Sequence, residues 1–207
     1  MIPSTPPNPL LIPTQPADTR DWILPDLGRR LLPFAAVAAG AWLLAGHPAW
    51  LGLSTGRLSA QLAFGLAGAA VLFVAAAGLQ LVLAPRRGSL KVPGSTADAA
   101  LQAGYYALNA PIEEALFRGL LQGGLGAAVS PSVGLGLGTA SYILYHRLGG
   151  WAWTDVLATA LAGIPLGLAY RLLPGPPSLL GVSLAHMGAT CGYIGPGPWL
   201  LHRLGLL

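Results

Sequence analysis

Residues 58–84 read LSAQLAFGLAGAAVLFVAAAGLQLVLA, and no side chain between Arg57 and Arg86 ionises. A helix needs about 20 predominantly apolar residues to cross the hydrocarbon core of a bilayer. The stretch is long enough and apolar enough to do so. It therefore predicts a membrane-spanning helix and decides the fold class of the chain.

The rest of the chain has the same character. Of its 207 residues only 9% are charged and 54% are hydrophobic, with a mean hydropathy of +0.62. About 25% of the residues of an ordinary soluble domain are charged. Between Arg30 and Arg57 the only titratable side chain is His47, which leaves room for a second spanning helix. We therefore predict an all-α fold, a polytopic membrane helix bundle of about six transmembrane helices.

The boundaries of these helices follow from the turn-forming residues and the charges between the apolar runs. Pro111 lies inside the third run. Because proline lacks an N–H and its ring clashes with the preceding turn, we expect the helix to break or kink there, with a new helix beginning at Ile112. The six expected spanning or partly spanning runs are residues 31–53, 58–84, 97–129, 133–146, 156–173 and 179–194.

The chain is expected to have two parts. Residues 1–28 are predicted to be a proline-rich, largely disordered cytoplasmic tail with an interfacial segment, which is a short helix over residues 18–30. Residues 29–207 are predicted to form a membrane-embedded helical domain with a motif-bearing core at 97–194.

Basic residues flank the first two runs and predict the orientation. By the positive-inside rule Arg29, Arg30, Arg86, Arg87 and Lys91 belong in the cytoplasm. We therefore expect a multi-pass protein of the cell membrane with a cytoplasmic N-terminus and with membrane lipids as partners. Because the basic residues are scattered singly or in pairs, no nucleic-acid partner is expected.

The two glutamates of the chain, Glu113 and Glu114, are adjacent inside an apolar run. A charge at membrane depth costs several kcal/mol, so a function is the first hypothesis. Glu114 and Arg118 share a helix face at i and i+4, which predicts an ion pair. Glu113 then points elsewhere, with Asn109 nearby if the helix is continuous, and is the candidate base. Alternatively, both glutamates begin a helix at the interface, stabilised by its N-terminal dipole.

Two histidines lie in other apolar runs. His146 follows Tyr142 by one turn, and His186 precedes Thr190 by one turn. A carboxylate and two imidazoles on three helices suit water activation, with one base and with groups that orient water or stabilise an oxyanion. The same set suits zinc binding, so His146 and His186 are also candidate metal ligands and the cofactor is left open.

These residues resemble a known family, the intramembrane proteases that include the CAAX-processing endopeptidases and the bacteriocin-processing or immunity proteins (CPBP). The resemblance covers about residues 110–190 and rests on three ordered motifs. They are Glu-Glu-x-x-x-Arg at Glu113, Glu114 and Arg118; Phe-x-x-x-His, approximated by Tyr142 and His146; and His-x-x-x-Asn or Asp, approximated by His186 and Thr190.

The resemblance implies a role for each motif residue. Glu113 is the expected general base, His146 and His186 are expected to bind the water or stabilise the oxyanion, and Glu114 with Arg118 is expected to support the site. Tyr142 keeps the aromatic ring of the family motif, whereas Thr190 lacks the amide or carboxylate. The implied function is an intramembrane endopeptidase acting on a membrane-associated peptide or protein.

Two other functions fit the same sequence. A catalytically inactive peptide-binding or immunity-type protein would keep the scaffold without hydrolysis, since fold does not determine function. Thr190, which departs from the family motif, favours this alternative. A small proton-coupled transporter would use Glu113, His146 and His186 as a relay, although no repeat or pair of broken helices is evident.

Overall fold

The computed structural model describes residues 14–207, and it is helical over most of that range. The predicted all-α class is confirmed. The longer helices are α1 (Thr19–Leu44), α2 (Leu58–Arg87), α3 (residues 96–128), α4 (Pro131–Tyr145), α5 (Trp153–Leu172), α6 (Leu180–Tyr193) and α7 (Pro196–Arg203). Two short strands, β1 (Thr14–Ala17) and β2 (Leu90–Pro93), pair in parallel with Thr14 opposite Leu90. Residues 1–13 of the predicted tail lie outside the described residues.

Three helices, α1, α2 and α5, are long and apolar enough to cross a membrane. Helices α4 and α6 have 15 and 14 residues. At 1.5 Å per residue they are shorter than a hydrocarbon core of about 30 Å. The count of six spanning helices therefore stays a prediction.

Burial in this chain runs opposite to that of a soluble protein. On α2 the side chains of Leu66, Val71 and Val74 are at least 64% exposed, whereas Gln61 and Gln80 are 2% exposed. An apolar outer surface around polar interior groups matches a lipid environment, because exposed apolar patches of this extent are rare on soluble monomers.

Two expected boundaries differ from the structure. The interfacial segment is not a separate helix, because a π-helical turn at Leu27–Leu31 joins it to the first run in one helix. That helix ends at Leu44 rather than near residue 53. A turn follows Leu44, in which Gly46 takes a positive φ.

The break expected at Pro111 is wrong. The α-helical part of α3 runs through Pro111 from Thr96 to Glu114. It continues as a π-helix over Ala115–Gly124 and ends with a turn at Leu125–Ala128. Packing of neighbouring helices makes a proline tolerable inside a membrane helix, since local changes of helical register satisfy the freed backbone groups. Glu113 and Glu114 therefore lie inside a helix and not at its N-terminus.

Glycines permit the close packing that surrounds the two glutamates. A Cβ atom on Gly138 of α4 would lie 2.7 Å from the Cβ of Gln122 on α3, and one on Gly163 of α5 would lie 2.9 Å from the ring of Tyr142. Gly136, two residues earlier on α4, has open space around it. Small residues thus bring α3, α4 and α5 together.

Candidate active site

Helix α3 carries both glutamates into the interior of the protein. Glu113 is 2% exposed and Glu114 is fully buried. They lie at the end of the α-helical part of α3, immediately before its π-helical part. The π register widens the helix at this point, a feature that is frequent at functional sites.

Glu114 forms the ion pair that its spacing predicted. Its Oε2 lies 3.2 Å from Nε of Arg118, and both side chains are completely buried. Arg118 also donates from Nη2 to the backbone carbonyl of Gly163 at 3.2 Å. Its guanidinium carbon lies 4.6 Å from the centroid of the Tyr142 ring. Arg118 therefore joins α3 to α4 and α5 beside Glu114.

His186 on α6 lies between the two glutamates. Its Nδ1 is 2.8 Å from Oε1 of Glu114, and its Nε2 is 3.2 Å from the hydroxyl of Tyr142. An ionised carboxylate accepts only, so with Glu114 ionised the Nδ1 position carries a proton and donates. In the neutral ring Nε2 then accepts from Tyr142. The side chain is 2% exposed, and its orientation is held from both sides.

The carboxylate of Glu113 has two different surroundings. Its Oε1 accepts a hydrogen bond from Nη1 of Arg30, which lies on α1. Its Oε2 faces His186, 3.7 Å from Nε2. The hydroxyl of Tyr145 also lies beside this carboxylate. One oxygen is thus held by a cation, and the other points towards an imidazole.

His146 begins the short helical turn that follows α4. Its Nδ1 donates to the backbone carbonyl of Tyr142 at 2.9 Å, which leaves Nε2 of the neutral ring unprotonated. The Tyr142 ring centroid lies 5.3 Å from that of His146 and 5.4 Å from that of His186. Tyr142 therefore contacts both imidazoles, and one of them, His186, also faces Glu113.

Asn109 and Thr190 take different places. Asn109 is 4% exposed and accepts from Nη2 of Arg30 at 2.8 Å, so it belongs to the surroundings of Glu113. Thr190 follows His186 by one turn on α6 and is half-buried. The hydrogen bonds of His186 go to Glu114 and Tyr142 instead. The supporting role of Thr190 stays a prediction.

Sequence reasoning missed a polar cluster on α1. Arg30 was assigned only to membrane topology, yet it contacts Glu113, Asn109 and Asp26. Asp26 in turn accepts from the hydroxyl of Tyr105. A signal was present, because Asp26 and Arg30 are spaced i and i+4, as are the polar residues 105, 109 and 113 of α3.

His146 and His186 are also the candidate metal ligands. Among residues 14–207 no group of three His, Cys, Asp or Glu side chains is positioned to hold a metal ion. Nδ1 of His186 is committed to Glu114, and Nδ1 of His146 is committed to a backbone carbonyl. Zinc binding by His146 and His186 therefore stays a hypothesis.

Comparison with known proteins finds a family model that matches part of the chain. Residues 96–191 match the family model described as type II CAAX prenyl endopeptidase Rce1-like. This match confirms the resemblance to the CPBP intramembrane proteases that the three motifs indicated. No curated protein and no solved structure matches the chain. The match and the spanning helices together support a hydrolase of the protease class located in a membrane.

Proposed function

Because residues 96–191 match the type II CAAX prenyl endopeptidase family, we propose that this chain is an intramembrane endopeptidase. It hydrolyses a peptide bond in a membrane-associated peptide or protein, with water activated by Glu113. One observation carries the proposal: the buried Glu113 carboxylate directs Oε2 towards Nε2 of His186 at 3.7 Å, while Oε1 is held by Arg30. A buried carboxylate beside an imidazole is a suitable pair for general acid–base catalysis.

In the proposed first step a water molecule binds beside Oε2 of Glu113. Nε2 of His146 accepts one hydrogen bond from this water and orients it. Glu113 takes the other proton through Oε2, and the resulting hydroxide attacks the carbonyl carbon of the scissile bond. A base positioned in this way typically contributes about 10² to 10⁴ in rate.

The proton then has a short route to the leaving group. It passes from Oε2 of Glu113 to Nε2 of His186, which gives up its hydrogen bond from Tyr142 while Nδ1 remains hydrogen-bonded to Glu114. The protonated ring donates to the oxyanion and stabilises it. When the tetrahedral intermediate collapses, the C–N bond breaks and the amine leaves with this proton. Glu114 and Arg118 keep the ring in place throughout.

The experiment is a cleavage assay on the purified protein in nanodiscs. Wild type, Glu113→Gln and His186→Ala are compared on a quenched fluorescent peptide library that includes prenylated peptides. Asp98→Asn, at the start of the same helix as Glu113, is the matched control. Both site variants should lose at least about 100-fold in cleavage rate, whereas the control should retain the wild-type rate. Equal activity in every preparation would refute the assignment of Glu113.

A peptide-binding or immunity-type protein is the second candidate. Thr190 favours it, because a hydroxyl replaces the amide or carboxylate of the family motif one turn after His186. The same assay separates the two, since wild type that binds a library peptide tightly without cleaving it would support binding alone.

A further inference from the structure

We propose that Arg30 is a positioning residue for Glu113: it binds one carboxylate oxygen and thereby presents the other to the water. This inference rests on the proposed endopeptidase function and extends it to a helix outside the matched segment, since α1 precedes residues 96–191. Arg30 does not contact the reacting atoms in this proposal. It acts through the orientation and the charge of Glu113.

The guanidinium of Arg30 is held on several sides. Nε donates to Oδ1 of Asp26 at 2.8 Å, and Nη2 donates to Oδ1 of Asn109 at 2.8 Å. Nη1 donates to Oε1 of Glu113. Because the guanidinium is planar and its donors are set in a rigid fork, binding Asp26 and Asn109 determines where Nη1 points. Glu113 thus meets a donor that is already in place.

The side chains of α3 that contact Asp26 and Arg30 form a single row. Tyr105, Asn109 and Glu113 follow each other at intervals of four residues, and all three are at most 7% exposed. Tyr105 donates to Asp26, so α1 is tied to both ends of the row. The π-helical turn at Leu27–Leu31 begins directly after Asp26 and contains Arg30. Residues of both helices therefore build one network that ends at the candidate base.

Aromatic packing keeps α1 against this row. The ring of Trp22 lies 5.5 Å from that of Tyr105 in an edge-to-face arrangement and 6.3 Å from that of Tyr106 in a stacked one. Leu31, next to Arg30, is completely buried in the same cluster. The position of the guanidinium is thus supported by packing as well as by hydrogen bonds.

Charge gives Arg30 a second effect on Glu113. A buried carboxylate is costly unless an opposite charge accompanies it. Glu114 already has Arg118 as its partner, whereas the ion pair of Glu113 with a permanent cation is the one to Arg30. Removing the cation leaves the carboxylate free to rotate or to take up a proton. After either change Oε2 can no longer accept a proton from the water.

Arg30 could instead act as a plug that must leave before catalysis, and the geometry argues against this. Its guanidinium binds Oε1, while Oε2 faces His186. The side chain also remains 25% exposed at the edge of the cluster. A plug would have to cover the reactive oxygen. The two roles predict opposite effects, because removal of a plug raises activity and removal of a positioning group lowers it.

The test measures kcat and KM in nanodiscs for a peptide that wild type cleaves. Arg30→Ala should lower kcat by about 100-fold, the loss expected when a catalytic group is misplaced by about 1 Å, with little change in KM. Arg30→Lys should be intermediate, since an ammonium group reaches Glu113 as a point charge but does not reproduce the fork. Added methylguanidinium should restore part of the activity of Arg30→Ala, and urea should not. Arg29→Ala, at an exposed neighbouring residue, is the matched control and should equal wild type.

The outcomes separate this inference from the proposed function. A wild type without any cleavage activity refutes the function itself. An active wild type with Arg30→Ala equal to it, or faster, overturns the positioning role and leaves the function standing. If Arg30→Ala does not fold, the lysine variant decides, since full kcat with lysine contradicts the need for the fork and a reduced kcat with unchanged KM supports it.

Discussion

Tyr142 is the side chain that contacts both candidate catalytic histidines. Its ring touches both imidazoles and lies under the guanidinium of Arg118. Its hydroxyl lies 3.2 Å from Nε2 of His186. The ring and the hydroxyl therefore have separate effects, and substitutions can separate them.

Tyr142→Phe should cost about 1 kcal/mol of stability, the typical net value of one hydrogen bond. Cleavage should persist, because the ring contacts remain and the family motif has phenylalanine at this position. Tyr142→Ala removes the ring and should cost about 3–5 kcal/mol. Thermal unfolding in detergent and the cleavage assay measure both variants. Abolished cleavage in the phenylalanine variant, with stability intact, would assign the hydroxyl a catalytic role.

Glu114 and Arg118 illustrate what spacing predicts at the residue scale. Their pairing needs only one helix and an interval of four residues, so the sequence was sufficient to foresee it. The orientation of Arg118 was not foreseeable in this way, because its third partner is the carbonyl of Gly163, 45 residues away.

At the scale of elements, helix α4 is placed by its glycines. Gly138 packs against the backbone and side chain of Gln122 on α3, whereas Gly136 faces open space. The two residues lie on nearly opposite sides of the same helix. They form a matched pair for testing whether close approach of α3 and α4 matters to the site.

Gly138→Ala should separate α3 from α4, because its Cβ would lie 2.7 Å from the Cβ of Gln122 and 3.0 Å from its backbone. We expect a loss of about 1–3 kcal/mol, the usual cost of overpacking, with reduced cleavage. Gly136→Ala should instead gain about 0.5–1 kcal/mol through helix propensity. Thermal unfolding compares them, and equal shifts in the two variants would show that the contact is unimportant.

Pro111 shows that packing between helices can outweigh the low helix propensity of a single residue. Proline disfavours a helix interior by about 3 kcal/mol, and on that basis a break was expected. The structure keeps the helix continuous and shifts to a π register four residues later. Continuity aligns Tyr105 and Asn109 with Glu113 on one face, which a broken helix would not do.

For the whole molecule, the distribution of polarity and charge predicts the orientation in the membrane. The basic residues at the end of α2, together with Arg29 and Arg30, indicate that this end lies in the cytoplasm. The turn between α1 and α2 would then face outward. The orientation is a prediction that accessibility can test.

Single cysteines introduced into a Cys191→Ser background should report the two sides. Thr55→Cys, in the exposed turn between α1 and α2, should react with a membrane-impermeant maleimide on intact cells. Ala97→Cys, exposed at the start of α3, should react only after the cells are permeabilised. The reverse pattern would contradict a cytoplasmic N-terminus. The Cys191→Ser protein without an introduced cysteine is the control for background labelling.

Several features of this protein were determined by the sequence alone. The membrane class follows from long charge-free stretches, because the cost of burying charge in lipid accumulates residue by residue and needs no knowledge of the fold. The candidate catalytic residues also follow from the sequence, because each motif spans only a few neighbouring residues and can be identified without knowledge of the fold. The Glu114–Arg118 pair follows from helical spacing.

The tertiary structure alone decided how those residues are arranged. Arg30 and Glu113 are 83 residues apart, and His186 and Glu114 are 72 residues apart. No local spacing brings such pairs together, because their contact depends on which helix faces pack against each other. Packing also decided that α3 continues through Pro111, since neighbouring helices supply free energy that a propensity rule does not count. The orientation of the two oxygens of Glu113, on which the proposed chemistry depends, is therefore a property of the folded bundle.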